Sequence, residues 1–538
     1  VAVAVVLSSA ISFVYLVIAL AVPSRAHSGR RGERQTRRRA PLHRARWTGS
    51  VVGLVLAAAA GVTLPFLSQG LALLLIIAGF MLGLVLATRR LFRRSLRSLR
   101  ARPFEWAGDV RLDERYRYAR VPYYFGLLLI GQLSLRPVLG LTLSDCFFLV
   151  ALFAALLEIF VSRKLRFPRL QPFSLLYGSI LFLLGVLLTA ISLEFPGATL
   201  SQGLRFLYVT LVWFWLGTVV LRDVRHLTRA IYFWVASVGV SGFAAMVQLF
   251  FGDVVPGTSP LFGRMTGTAV HVNDLGGMTG IALAAGAALA SIHGPSRRVR
   301  WTTYALLLFV VAGNVGSGSV GGMLAATVGV AAWVTASHIR GRVVVVAGIA
   351  LVGGFLLIAA QEAGRAPSPF ERAAQVTSSE DDPTATLWSR MDTNRAAIVE
   401  IAKKPIVGKG LGEPTSTGFQ VHNFLLGPWF EAGLFAVTGM LVILLTVCST
   451  GLQAVRCSVS LAEWRLATGL LSAFAAFVAF AMGAPILFQR YGWAPAALIV
   501  ALRAQQLRSS RTSSDVPPAV LIGGSFSKEG TAGDAIWS

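Results

Sequence analysis

FSLLYGSILFLLGVLLTAISL, residues 173–193, runs for 21 residues without a charged side chain. A helix rises about 1.5 Å per residue, so about 20 apolar residues cross a hydrocarbon layer of about 30 Å. This stretch is long enough to span a membrane and too uniformly apolar for the surface of a soluble domain. Comparable runs lie near residues 1–22, 50–67, 68–88, 121–139, 142–160, 199–221, 230–250, 270–291, 302–316, 319–337, 343–361, 424–449, 466–485 and 491–502. Composition agrees, because 55 % of the 538 residues are hydrophobic and only 14 % are charged, outside the usual balance of soluble globular chains. The expected fold class is therefore an all-α integral membrane protein with about 15 transmembrane helices. Twelve belong to a core over residues 121–503, and three to a basic extension over residues 1–120. A soluble enzyme on a single anchor is excluded, as is disorder over most of the length.

The net charge of +25, carried by 44 arginines and 5 lysines, suggests a nucleic-acid partner until its position is read. If the gaps between spans alternate outside and inside, with the N-terminus outside, almost all of the excess falls in the inside gaps. The richest are residues 23–49, with Arg37, Arg38 and Arg39, and residues 89–120, with Arg89, Arg90, Arg93 and Arg94. This is the positive-inside bias of membrane topology, and these arginines are expected against anionic headgroups. No nucleic-acid partner is expected. The first span lacks a basic flank and a small-residue cleavage site, so it reads as a retained span and not a signal peptide. Cys146, Cys448 and Cys457 fall in spans or an inside loop, build no disulfide framework, and read as small buried apolar residues.

One outside segment, residues 362–423, is far longer than the other outside loops, and long loops within a compact architecture tend to carry function. Within it, Thr384–Lys404 has helical propensity, with Leu387, Met391, Ile398 and Ile401 as apolar points and Pro405 as a stop. That helix is expected to lie along the membrane surface. The following Gly408-Lys409-Gly410-Leu411-Gly412 allows a tight turn, but it follows no strand and lacks the Lys-Ser/Thr ending of a phosphate-binding loop. Glu380-Asp381-Asp382 reads as solvated loop. His422-Asn423 stands where the chain re-enters the membrane, with Glu431 about two helical turns further in. Residues 504–538 read as a disordered cytoplasmic tail.

Of the seven histidines, five map to the inside and only His271 and His422 face out. Each is followed closely by an asparagine, Asn273 or Asn423, which suits either a helix cap or a functional pair. Arginines near the same face are the second constellation. Arg264 precedes a span, Arg205 lies in the outer third of another, and Arg390 and Arg395 lie on the loop helix. A guanidinium matches phosphate oxygens and stays charged at any physiological pH. A charge inside a span is a functional candidate by default, although snorkelling to headgroups is the alternative for Arg205 and a solvated helix face the alternative for Arg390 and Arg395.

Read in order, Arg264-x-x-Gly267-Thr268 leading to Asn273, the turn Gly316-Ser317-Gly318-Ser319-Val320-Gly321-Gly322, Pro405-x-x-Gly408-x-Gly410, His422-Asn423 and Glu431-x-Gly433 resemble the O-antigen ligase and O-antigen polymerase superfamily of polytopic glycan transferases. The resemblance covers about residues 120–503. It implies transfer of a polyprenyl-diphosphate-linked saccharide to an acceptor hydroxyl on a glycan or lipid. The reaction would take place on the outer face of the cytoplasmic membrane, without metal, nucleotide or other cofactor. Arg264 takes the position of the family's diphosphate-binding arginine and His422 that of its late-loop histidine, with Arg205, Arg390, Arg395, His271, Asn273 and Asn423 as candidate substrate contacts and Glu431 as a candidate for orienting His422. One departure stands out: the family's arginine after the Ser in the Ser-x-Gly turn is Val320 here, so another outer arginine has to supply the second diphosphate contact or the donor chemistry is altered or lost. A transporter or flippase for lipid-linked saccharides would share the helix count, but it calls for polar groups at midplane and paired broken helices.

Overall fold

A computed structural model describes residues 116–135, 142–161, 170–252, 263–292, 297–337 and 386–514. The three spans expected before residue 115, the span near 343–361, the first part of the long loop and the end of the tail lie outside the described residues. The described chain is helical throughout: α1 (Arg117–Leu128), α2 (Leu143–Val161), α3 (Ser174–Ile191), α4 (Gly197–Val220), α5 (Val224–Phe251), α6 (Val272–Ala290), α7 (Arg297–Gly316), α8 (Val320–Ser337), α9 (Thr386–Lys403), α10 (Leu426–Arg456), α11 (Leu461–Ala481) and α12 (Arg490–Ser514). Among the described residues, eight helices, α2 to α7, α10 and α11, are long and apolar enough to cross a membrane, and α8 is a shorter apolar helix. The chain is a multi-pass helical membrane protein.

Burial orders the bundle. In α6 89 % of the apolar stretch is buried, against 28 % in α2, so α6 is the central helix of the described bundle and α2 lies at its edge. An apolar helix buried all round needs small residues where neighbours approach, because apolar side chains gain nothing by leaving lipid. The α3–α10 contact shows the device: a Cβ on Gly185 would stand 2.6 Å from the Ala432 carbonyl oxygen, and one on Gly439 would stand 2.4 Å from that of Gly178.

Helix ends segregate to two faces. On one, the Ser134 N–H donates to the Thr268 carbonyl at 3.0 Å, Gly408 N–H to Thr189 Oγ1 at 3.0 Å, Leu411 N–H to Thr199 Oγ1 at 3.1 Å and the Tyr491 hydroxyl to Asp274 at 2.9 Å. There too Arg490 grips Asp145 with two nitrogens, Nε at 2.6 Å and a terminal nitrogen at 2.5 Å. On the other face Arg120 pairs with His226 at 2.9 Å, Arg465 donates to the Ser291 carbonyl and Gln505 donates to the Leu221 carbonyl at 2.7 Å. These contacts group the ends of the described helices into two sets, one at each end of the bundle.

Three boundaries differ from expectation. The span expected over 121–139 is helical only to Leu128. Beyond it Gly131 N–H donates to Ser237 Oγ at 2.9 Å and the Gln132 amide to the Ser237 carbonyl at 3.0 Å, so non-helical backbone is satisfied by protein and not by lipid. At the C-terminus, where a disordered tail was expected from 504, α12 continues to Ser514. Gln505, Gln506 and Arg508 hold this extension by donating to the carbonyls of Leu221, Ala454 and Thr218. The third difference is inside α10, where Gly433 adopts φ 77° and breaks the helix. The carbonyls of Phe430 and Glu431, released by the break, accept from Lys409 and Gly410 N–H at 2.9 Å each.

Candidate functional site

Arg264 lies in the connection between α5 and α6, and that connection is fastened before its side chain is used. Gln248, from α5, accepts from Gly267 N–H at 2.7 Å and Thr266 N–H at 3.1 Å. Ser241 Oγ accepts from Thr268 N–H at 3.1 Å, and Met265 N–H reaches the Gly316 carbonyl at 2.8 Å. The guanidinium is then fixed in plane: Nε donates to the Ser317 carbonyl at 2.9 Å and a terminal nitrogen to Asn273 Oδ1 at 3.0 Å. Ser319 Oγ donates to the same Asn273 oxygen at 3.1 Å. Gly318 makes this possible, since it turns at φ 54° and a Cβ there would stand 3.2 Å from Arg264 Cγ. The Gly316–Gly322 motif is thus the seat of Arg264, and Val320, half-buried, opens α8 just beyond it.

The two histidines are held in opposite tautomers. His271 caps α6 itself: its Nδ1 accepts from Asn273 N–H at 3.1 Å, so when neutral the ring carries its proton on Nε2. His422 has Nδ1 2.8 Å from the Gln420 carbonyl. A carbonyl only accepts, so Nδ1 carries the proton and Nε2 presents a lone pair. Both rings sit below the ordinary histidine pKa. For His271 the causes are desolvation by the surrounding protein, then Arg264 and Arg390; for His422 they are desolvation, then Arg390, opposed by the Gln420 carbonyl. Arg390 therefore stands within electrostatic reach of both histidines, held by donating to the Gly483 carbonyl at 2.9 Å. Through it α9 is tied to the connection between α11 and α12.

The structure thus gathers Arg264, His271, Asn273, Arg390 and His422, from four separate segments, at one end of the bundle. It does not gather the other candidates with them. Arg395 is exposed and faces a different cavity, with Lys403 and Lys404; five residues along a helix turn it about 140° from Arg390. Arg205 is exposed on α4, one turn from Gln202. Asn423 braces the approach to α10, its Oδ1 accepting from Leu425 and Leu426 N–H at 3.0 Å each. It also lines a cavity of about 90 Å³ with Gln202, Gln420 and Glu431. Glu431 faces the Gly412 N–H, so the group that orients the His422 ring is the Gln420 carbonyl. Residues that sequence reasoning passed over are Gln248, Gln420 and Gly483, and Ser319 was quoted within its turn without a role. A lone amide in the apolar run 230–250 was a readable signal for Gln248; carbonyl partners leave no signal in residue type.

Among the described residues no group of three His, Cys, Asp or Glu side chains is placed to hold a metal. No protein-family model and no curated protein matches the chain.

Proposed function

We propose that the chain is a glycan ligase or polymerase of the O-antigen ligase type, with about 15 transmembrane helices in the cytoplasmic membrane and the site described above on its outer face. The observation that carries this reading is the pairing of a base with fixed cations: His422 presents an unprotonated Nε2 beside Arg390, and Arg264 is fixed in plane on the same end of the bundle.

In the proposed reaction His422 Nε2 takes the proton of the acceptor hydroxyl, whose oxygen forms a bond to the anomeric carbon of the donor sugar. The bond from that carbon to the diphosphate oxygen breaks, and the electron pair leaves with the polyprenyl diphosphate. Negative charge builds on the leaving group, where pre-fixed cations stabilise it most effectively. Arg264 is one such cation. Arg390 is the second, in place of the arginine that the family carries where this chain has Val320. General base catalysis at His422 contributes about 10²–10⁴ in rate.

The test is replacement of His422, Arg264, Arg390 and Arg395 singly in cells, with lipid-linked saccharide and finished glycan both quantified. His422→Ala, Arg264→Ala and Arg390→Ala are expected to accumulate the lipid-linked donor at normal protein level, and Arg395→Ala is not. Normal product from His422→Ala would remove the base from the scheme. The break at Gly433 also suits a transporter, since broken helices line transport sites, but it lies within about two turns of the outer end of α10 and away from midplane. Vesicles that move labelled lipid-linked saccharide across the bilayer without forming a glycosidic bond would favour that reading.

A further inference from the structure

A cavity of about 720 Å³ lies between the end of α3, one face of α9 and the turn that follows it, and it contains none of the residues assigned above to catalysis. The volume is that of a drug-sized site. Its α9 wall is a single helical face, Asp392, Arg395, Val399, Glu400 and Lys403, continued by Lys404 and Lys409. Leu193, Val407 and Phe430 add apolar surface, with the Lys409 ammonium 5.7 Å from the Phe430 ring centre.

The charges are unequal and only partly matched. Glu400 is committed to its own surroundings, accepting from Lys409 Nζ at 3.1 Å and from Ser416 N–H at 2.8 Å. Lys409 also donates to the Pro414 carbonyl at 3.0 Å. The side chains of Arg395, Lys403 and Lys404 have no hydrogen-bond or ion-pair partner among the described residues. Asp392 is the one acid left to oppose them in the wall. Favourable placement of a cation in the last turn of a helix accounts for Lys403, but it does not account for Arg395 two turns earlier on the same face. Residue choice points the same way: the chain uses 44 arginines and 5 lysines, and three of those five, Lys403, Lys404 and Lys409, line this one cavity. The remaining two are Lys164 and Lys528.

We propose that this cavity is a second binding site, taking a phosphate or carboxylate group borne by a saccharide or a lipid headgroup at the membrane surface. Arg395 and Lys404 hold the anion, Lys403 adds long-range attraction, and the apolar surface at Leu193, Val399 and Phe430 packs against the sugar ring or glycerol that carries it. The site goes beyond the transfer reaction proposed above and needs no turnover to be detected.

The scarcity of lysine supplies the assay. Full-length protein in detergent is acetylated with limiting acetic anhydride, and the rate at each lysine is read by mass spectrometry with inorganic pyrophosphate, oligogalacturonate or neutral maltotetraose present. Both anions are expected to slow Lys403 and Lys404 at least about threefold relative to Lys164 and Lys528, and maltotetraose is expected to leave them unchanged. The same labelling in nanodiscs of phosphatidylglycerol against phosphatidylcholine separates the sources. Protection by phosphatidylglycerol that disappears in Arg395→Gln assigns the site to a lipid headgroup, and protection by the soluble anions alone assigns it to a saccharide. Arg395 is exposed, so Arg395→Gln is expected to fold and to lose the protection. No protection by any anion, or equal slowing at Lys164 and Lys528, overturns the proposal.

Discussion

Breaking the Asp145–Arg490 pair is expected to destabilise the bundle unequally, depending on which partner is removed. Both side chains are at most 2 % exposed, and the contact is bidentate at 2.5 and 2.6 Å. Removing one member of such a pair strands the other charge and costs about 3–5 kcal/mol. The two strands of this cost differ here. Asp145 lies in the first turn of α2 and also accepts from Thr142, from N–H at 2.9 Å and from Oγ1 at 2.8 Å. A carboxylate at a helix N-terminus gains about 0.3–1 kcal/mol from the peptide dipoles, up to about 2 when partly buried. Arg490 opens α12, so the same dipoles repel it. Arg490→Met should therefore fall near the lower end of the range, about 3 kcal/mol, and Asp145→Asn near the upper end, about 5 kcal/mol. The double replacement Asp145→Leu with Arg490→Met, which strands no charge, should cost less than either single change. Denaturant-induced unfolding of the purified protein in mixed micelles would rank the three. If Arg490→Met is as damaging as Asp145→Asn, or the double change is the worst, the electrostatic account of this contact is wrong and packing volume governs it.

Other predictions concern the site. If His422 is the base, activity is present while its ring is neutral and falls as pH drops through its folded-state pKa, which lies below the ordinary histidine value because of desolvation and Arg390; a pH–rate profile of transfer should show this acid limb. Arg390→Gln removes a charge that opposes protonation, so in that variant the limb should move to higher pH, and a limb that stays in place would disconnect Arg390 from His422. Gly318→Ala forces a side chain into φ 54° beside Arg264, at a conformational cost of about 1–2 kcal/mol; transfer should fall while the protein still assembles, as judged by detergent size-exclusion profile. Gly433→Ala puts a Cβ 2.0 Å from the Ile406 carbonyl oxygen, and yield of folded protein should collapse.

What hydropathy reads well is place: the described bundle helices overlap the apolar runs, although α1 stops short of its run and α12 continues beyond its own. The loop helix expected over Thr384–Lys404 is observed as Thr386–Lys403, because Pro405 removes a backbone donor and leaves little choice of end point. His271, His422 and Arg264 were legible because a polar residue in an apolar setting announces itself. What residue types do not carry is direction and backbone partnership. Arg390 and Arg395 look equivalent in the sequence, yet helix rotation sends Arg390 to the Gly483 carbonyl and Arg395 to the lysine-lined cavity. The cap of α6 is provided by His271 and not by Asn273, since Asn273 Oδ1 is taken by Arg264 and Ser319. Nor does the sequence show that His422 leans on the Gln420 carbonyl, a group every residue possesses. The end of α12 was misread for a related reason: Gln505, Gln506 and Arg508 look like tail residues until the carbonyls they bind are in view.

The break in α10 makes the glycine-rich turn at residues 408–412 and the helix one cooperative unit. Carbonyls that a continuous helix would have filled from within are filled instead by the amides of Lys409 and Gly410, so neither segment can open without exposing polar groups of the other. Amide exchange at those two positions should then be as slow as in the helix itself, despite their place in a glycine-rich turn. A turn locked at that depth is a fixed wall between the Lys-lined cavity, which Phe430 borders, and the smaller one, which Glu431 borders.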